Sequence, residues 1–130
     1  MKRVLERFDR SKQRIRVKHI VLGTHNWPEA DKVFPEVGFL KHEHHHDFHI
    51  YAECDVTHQD REIEFILLRV EIMKILEDYP GKYIKRFGHR SCEMIAENIK
   101  KQLKIKYGSR HWKVSVFEDN IQGGIIQDEN

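Results

Sequence analysis

Hydrophobic and polar positions alternate along some stretches of this chain and switch to a helical spacing along others. Residues 13–25 begin as an alternating strand, with Arg14, Arg16 and Lys18 on one side and Ile15, Val17 and His19 on the other, and end apolar on both sides. Residues 45–57 alternate throughout: His46, Phe48, Ile50, Ala52, Cys54 and Val56 share one face, and Asp47, His49, Tyr51, Glu53 and Asp55 the other. That is the pattern of a half-buried antiparallel strand. The intervening 26–41 reads as a long loop, opened by Asn26-Trp27-Pro28 and punctuated by Pro35 and Gly38. After a turn at His58-Gln59-Asp60-Arg61 the period changes, and Ile63, Ile66, Val70, Met73 and Leu76 predict a helix running to about Tyr79. Residues 82–90 read as a polar, basic connection. Ser91 is a good N-cap for a second helix through Ile95, Ile99, Leu103 and Tyr107, closed by Gly108. Residues 111–118 alternate again, and Gly124–Gln127 adds a short strand. The order β-β-α-α-β-β predicts an α+β fold, an antiparallel sheet with two helices on one face.

The length of 130 residues suits a single domain spanning 1–130, with 1–12 as a basic arm and 121–130 as a loose tail. Apolar residues make up 39% and charged residues 34%, so a buried core is compatible with a heavily charged surface. No apolar run approaches the ~20 residues of a membrane span, and Met1–Glu6 has no apolar signal core. Two cysteines, Cys54 and Cys92, are no disulfide framework, which points to a reducing, cytoplasmic setting. The net charge of +2 conceals an asymmetry, because residues 1–18 hold eight Lys/Arg against Glu6 and Asp9. A nucleic-acid surface would want aromatic residues interleaved with these cations, and only Phe8 qualifies, so the polar face of a strand explains them better.

Histidine is the unusual residue. Of ten, five fall within 42–49. The run alone fits either a solvated loop or a metal site. Pairing narrows it. Two consecutive antiparallel strands bring the end of the first beside the start of the second, so His25 meets His44-His45-His46. His44 and His46 share a face while His45 points away, and His25 shares the parity of Ile15, Val17 and Val21. Three imidazoles converging from paired strands are what an open zinc site requires, with a fourth position left for water or substrate. His42 and His49 are placed for solvent or for supporting contacts.

Leu22-Gly23-Thr24-His25-Asn26-Trp27, His44-His45-His46-Asp47-Phe48-His49-Ile50, Arg61-Glu62-Ile63-Glu64-Phe65, Ser91-Cys92-Glu93-Met94-Ile95-Ala96 and Val114-Ser115-Val116-Phe117-Glu118-Asp119 follow one another between about 14 and 120. In that order they resemble the tunnelling-fold (T-fold) family of 6-pyruvoyl-tetrahydropterin synthase and 6-carboxy-tetrahydropterin synthase. The second segment stands for the family's H-G-H-N-Y-x-V, with His45 in place of the glycine. The resemblance implies a zinc ion on His25, His44 and His46 that polarises a dihydropterin side chain. It implies Glu118 as the anchor of a pterin- or purine-like heterocycle, since a carboxylate accepts two parallel N–H bonds. It also implies Ser91 and Glu93 at the substrate, a lyase-type reaction in a biopterin- or queuosine-like pathway, and a homo-oligomeric ring of hexamer type. Nucleic acid and membrane are not expected partners.

The departures fall on the acid–base groups. Leu40 stands where these synthases carry a cysteine, and Asp78-Tyr79 where they carry Asp-His. Cys54 and Cys92 do not replace the missing thiol, which leaves Glu43, His58 and His89 as proton carriers, Glu43 and His89 being the catalytic candidates. The expected function is therefore a zinc-dependent enzyme on a dihydropterin or nucleotide-derived substrate with altered acid–base residues. The alternative is a non-catalytic T-fold module that keeps the zinc and sequesters or senses such a ligand.

Overall fold

The computed structural model describes residues 12–129. The first strand, β1 (Gln13–His25), leads through a short helix α1 (Ala30–Val33) and a 3-10 stretch (Pro35–Lys41) into β2 (His44–Val56). There follow α2 (Phe65–Leu76), β3 (Lys85–Gly88), α3 (Cys92–Tyr107), β4 (Lys113–Glu118) and β5 (Gln122–Gln127). They form one five-stranded sheet in the order β3-β1-β2-β4-β5. Both long strands and the two long helices stand at the expected positions, but α2 buries Leu68, Ile72, Ile75 and Leu76, while Ile66, Val70 and Met73 of the expected apolar stripe are exposed. Glu64 caps α2 by accepting from the Leu67 N–H at 3.1 Å, and Ser91 caps α3 by accepting from Met94 at 3.2 Å.

Three expectations need correction. The connection 82–90 contains β3, which pairs parallel to β1, so the sheet is mixed rather than wholly antiparallel. A four-residue strand is too short to display a period, and only Phe87 in it is buried. The loop 26–41 is mostly helical turns, held by local backbone bonds such as Phe34 N–H to the Ala30 carbonyl at 2.9 Å. Residues 122–128 of the expected loose tail are ordered: β5 pairs with β4, and the Asp128 carboxylate takes both Lys100 and Lys104, while Asn130 lies outside the described residues. Residues 1–11 of the basic arm lie outside the described residues. Arg14, Arg16 and Lys18 do form the polar outer face of β1, with the Arg16 guanidinium 4.4 Å from the centre of the Tyr51 ring.

The core lies between the inner face of the sheet and the two long helices, α2 against β1 and α3 against β4 and β5. Phe48, Ile50, Ala52 and Cys54 of β2 are fully buried there with Leu68, Ile72, Ile95, Ile99, Leu103 and Trp112. At the histidine end the Phe48 and Phe87 rings pack edge-to-face across β1, 4.9 Å apart. Gly23 lets them do so, because a Cβ there would sit 2.6 Å from Phe87 and 3.0 Å from Phe48. That close approach fixes the level at which β1 delivers His25, two residues on.

His19 also faces inward. Burial, helped by the charge of Arg69 on α2, pushes its pKa below the ordinary value, and its Nδ1 is buried without a partner. The unfolded chain therefore takes a proton there first as pH falls, and stability present above about pH 6.5 is lost below it. Urea midpoints measured at about pH 7.5 and 5.5 should fall less in His19→Gln than in the wild type. Equal falls would show that His19 does not carry this dependence.

Candidate metal centre

The register of β1 and β2 makes His25 and His44 cross-strand partners and sets His46 opposite Gly23, all on the inner face. The three rings meet edge-to-face, with centroids 4.6 Å apart for His25–His44, 5.1 Å for His44–His46 and 5.5 Å for His25–His46. His45 projects outward and is exposed, as the alternation requires.

Each imidazole is oriented through its Nδ1. That of His25 lies 2.9 Å from the Arg90 carbonyl, that of His44 2.8 Å from the His42 carbonyl, and that of His46 2.8 Å from an Asp119 carboxylate oxygen. Carbonyls and carboxylates only accept, so all three Nδ1 atoms carry a hydrogen, and in its neutral form each ring is left with its Nε2 lone pair for a metal. Metal-binding histidines are oriented in this manner. The fourth group is Glu118, the last residue of β4, whose Oε2 lies 2.8 Å from His25 Nε2 and 3.0 Å from His46 Nε2. One donor atom from each of His25, His44, His46 and Glu118 falls within 4.8 Å of all the others. The donor set suits a borderline divalent cation such as zinc: nitrogen lone pairs and a carboxylate, partly buried and oriented from behind.

The electrostatics of the cluster favour a positive charge shared between the imidazoles and Glu118. Burial opposes charge on His25, yet its hydrogen bonds to Glu118 and to the Arg90 carbonyl outweigh burial and raise its pKa. The same bond lowers that of Glu118 against its own burial. Asp119 is lowered by its bond to His46 and by the Asp47 N–H, which it accepts at 2.9 Å. Asp119 is thus a brace for His46. Asp119→Ala should weaken metal binding by about 10- to 100-fold with the fold retained, read by competition against a chelator. Undiminished affinity would remove Asp119 from the site.

A cavity of about 510 Å³ opens at the cluster, of a size suited to a small-molecule ligand. Trp27, Leu40, His89, Ser91, Cys92, Glu93 and Glu118 are among the residues that line it. Ser91 is there as the cap of α3, and Glu93, in the first turn, lies against Gly124, where any Cβ would fall 2.5 Å from its Cγ. Glu43 does not line the cavity; it is exposed, 3.9 Å from the Arg86 guanidinium. His58 lies in a separate depression with Lys12 and Glu62. Cys92 lines the cavity, but burial pushes its thiol up to about 12, and that of Cys54 to about 11, so neither supplies a thiolate near neutrality. Tyr79 is buried, and its hydroxyl accepts from Asn98 at 2.8 Å.

Sequence reasoning did not find Asp119 or the carbonyls of Arg90 and His42. Asp119 left a faint signal in the Glu-Asp-Asn that ends a strand. Backbone carbonyls leave none, and Arg90 reaches His25 only because β3 returns beside β1, with the Asn26 N–H bonded to the Gly88 carbonyl at 2.8 Å.

No protein-family model matches the sequence, and neither does any curated protein sequence. Comparison with solved structures finds 6-pyruvoyl tetrahydropterin synthase of Plasmodium falciparum, at a TM-score of 0.63 and 16% identity over 92% of this chain and 99% of that one. The Plasmodium vivax enzyme superposes at 0.62 with 13% identity, and a variant of it with the catalytic glutamate replaced by alanine at 0.64 with 15%, over the same shares of chain. The fold is the T-fold. At this identity the likeness speaks for the T-fold architecture, while the His/Glu cluster rests on the side chains described above. Among the described residues no helix is long and apolar enough to cross a membrane.

Proposed function

We propose that this T-fold chain is a zinc-dependent enzyme acting on a dihydropterin or a related purine-derived substrate, with acid–base groups that differ from those of the usual tetrahydropterin synthases. The observation that carries this reading is the convergence of His25, His44 and His46, each ring held from behind through Nδ1, beside a cavity of ligand size that His25, His44 and Glu118 line. His25, His44 and His46 would hold the metal. When bound, it would act as a Lewis acid on an oxygen of the substrate side chain.

The remaining work falls to the chain's own groups. Glu118 would anchor the heterocycle by accepting N–H bonds, with Glu93 and the Ser91 region on the same wall. Trp27 and Leu40 would exclude water from one boundary of the ring. The proton would be carried by His89, which lines the cavity, or by Glu43, next in sequence to His44. The P. vivax neighbour has a glutamate as its catalytic residue, which supports a carboxylate in this task, while position within the cavity supports His89. The protein would work in the cytoplasm as a ring of hexamer type, built through the two outermost strands of the sheet, β3 and β5.

The test is elemental analysis of untagged protein together with its mass in solution, followed by binding and turnover assays with dihydropterins and guanine nucleotides. The reading expects about one zinc per chain in an oligomer, and ligand binding that weakens in Glu118→Gln. A metal-free monomer that binds neither ligand class would overturn it.

A further inference from the structure

We propose that Glu118 is a fourth, displaceable ligand of the metal: with the cavity empty its carboxylate closes the site, and a ligand that recruits the carboxylate opens it. The inference rests on the metal reading above and adds to it a mechanism of access.

The three Nδ1 contacts orient the rings so that one donor atom of each, with one of Glu118, converges within 4.8 Å. A carboxylate oxygen of Glu118 lies 2.8 Å from His25 Nε2 and 3.0 Å from His46 Nε2. Contacts this short are held by a shared cation, which is a proton when an imidazole donates to the carboxylate and a metal ion when one is bound. A divalent metal satisfies all four donors together. In a tetrahedral shell with bonds of the usual zinc lengths, neighbouring donor atoms are about 3.3 Å apart. Glu118 Oε2 therefore already sits near an edge of that shell with two of the imidazoles. Three neutral imidazoles and one carboxylate make a complete four-coordinate set, which is how closed sites are built, whereas an open site keeps a position for water.

The backbone holds the carboxylate to this position. Glu118 ends β4 in register with Phe48, and the next two residues, Asp119 and Asn120, turn the chain at φ of 53° and 57°. Within that turn the Asp119 N–H donates to the Asp47 carbonyl at 2.8 Å while the Asp119 carboxylate holds His46. One hairpin thus fixes Glu118 and His46 relative to each other. Yet Glu118 also lines the cavity and retains 18% side-chain exposure, so the carboxylate has somewhere to go. Metal coordination and anchoring of a heterocycle draw on the same carboxylate, and strengthening one weakens the other. Ligand capture and opening of the metal's fourth position become one event.

Full-length protein loaded with cobalt(II) in place of the native metal reports coordination through its visible spectrum, and azide reports access to it. Wild type should show a four-coordinate spectrum and bind azide weakly. Glu118→Ala should shift the spectrum and bind azide at least about tenfold tighter, as expected when the open state goes from under a tenth of the population to all of it. Glu118→Gln, of equal volume, should shift in the same direction and guards against misfolding of the alanine variant, with circular dichroism as the control. Cobalt bound with the same spectrum and azide affinity in all three proteins would overturn this inference and leave the metal site standing. Failure of the wild type to bind cobalt at all would overturn both.

Discussion

Replacing His44 and His46 by alanine is expected to strip the protein of tightly held metal while leaving the sheet intact. Loss of a group that only orients a ligand costs about 10- to 100-fold in metal affinity, and loss of two ligands costs more than that. What remains, His25 and Glu118, is a two-donor set that water and any weak chelator outcompete. The fold should survive because both side chains sit at the very start of β2 and are only partly buried, while the core begins at Phe48. Neither substitution removes a backbone bond of the β1–β2 ladder. The check is metal content after dialysis against a weak chelator, beside the far-ultraviolet circular dichroism. Metal retained at the wild-type level would place it elsewhere on the chain and dismantle the site described here.

How far the sequence led can be judged at these same residues. The alternation of β2 is uninterrupted, so the inward placement of His46 with Phe48 and Ile50, and the outward placement of His45, were both legible. Pairing of consecutive antiparallel strands was enough to bring His25 to His44, and the observed register joins them directly. Glu118 was legible as a site residue only through resemblance; nothing in the spacing of β4 says that its carboxylate reaches imidazoles on two other strands. β3 was missed because a strand of four residues has no period to read and its pairing with β1 is parallel and remote in sequence. That omission hid the Arg90 carbonyl, the group that orients the His25 ring through Nδ1. What remains visible at 13–16% identity to the Plasmodium enzymes is the fold itself, shared over 92% of this chain.

Phe48→Ala is expected to do the reverse of the histidine changes, removing the fold before the metal. Phe48 is fully buried at the point where the core meets the site. Its ring is met edge-on by His25 at 5.1 Å, by His46 at 5.8 Å and by Phe87 at 4.9 Å. Truncating a buried phenylalanine costs about 3–5 kcal/mol through lost transfer energy and the cavity left behind. Edge-to-face contacts add about 0.5–1.5 kcal/mol per pair beyond area, so the upper part of that range is expected here. Against a total stability of about 5–15 kcal/mol, a loss of that size leaves a large unfolded fraction under mild stress. Collapse of the neighbours into the gap is restricted, because Gly23 offers no side chain to move in and the two imidazoles are tied at Nδ1. The measurement is urea unfolding of the metal-free protein, since bound metal would stabilise the folded state by mass action and mask the loss. A metal-free Phe48→Ala protein within about 1 kcal/mol of wild type would mean that this end of the core is loosely packed. The imidazoles would then owe their positions to the Nδ1 bonds alone.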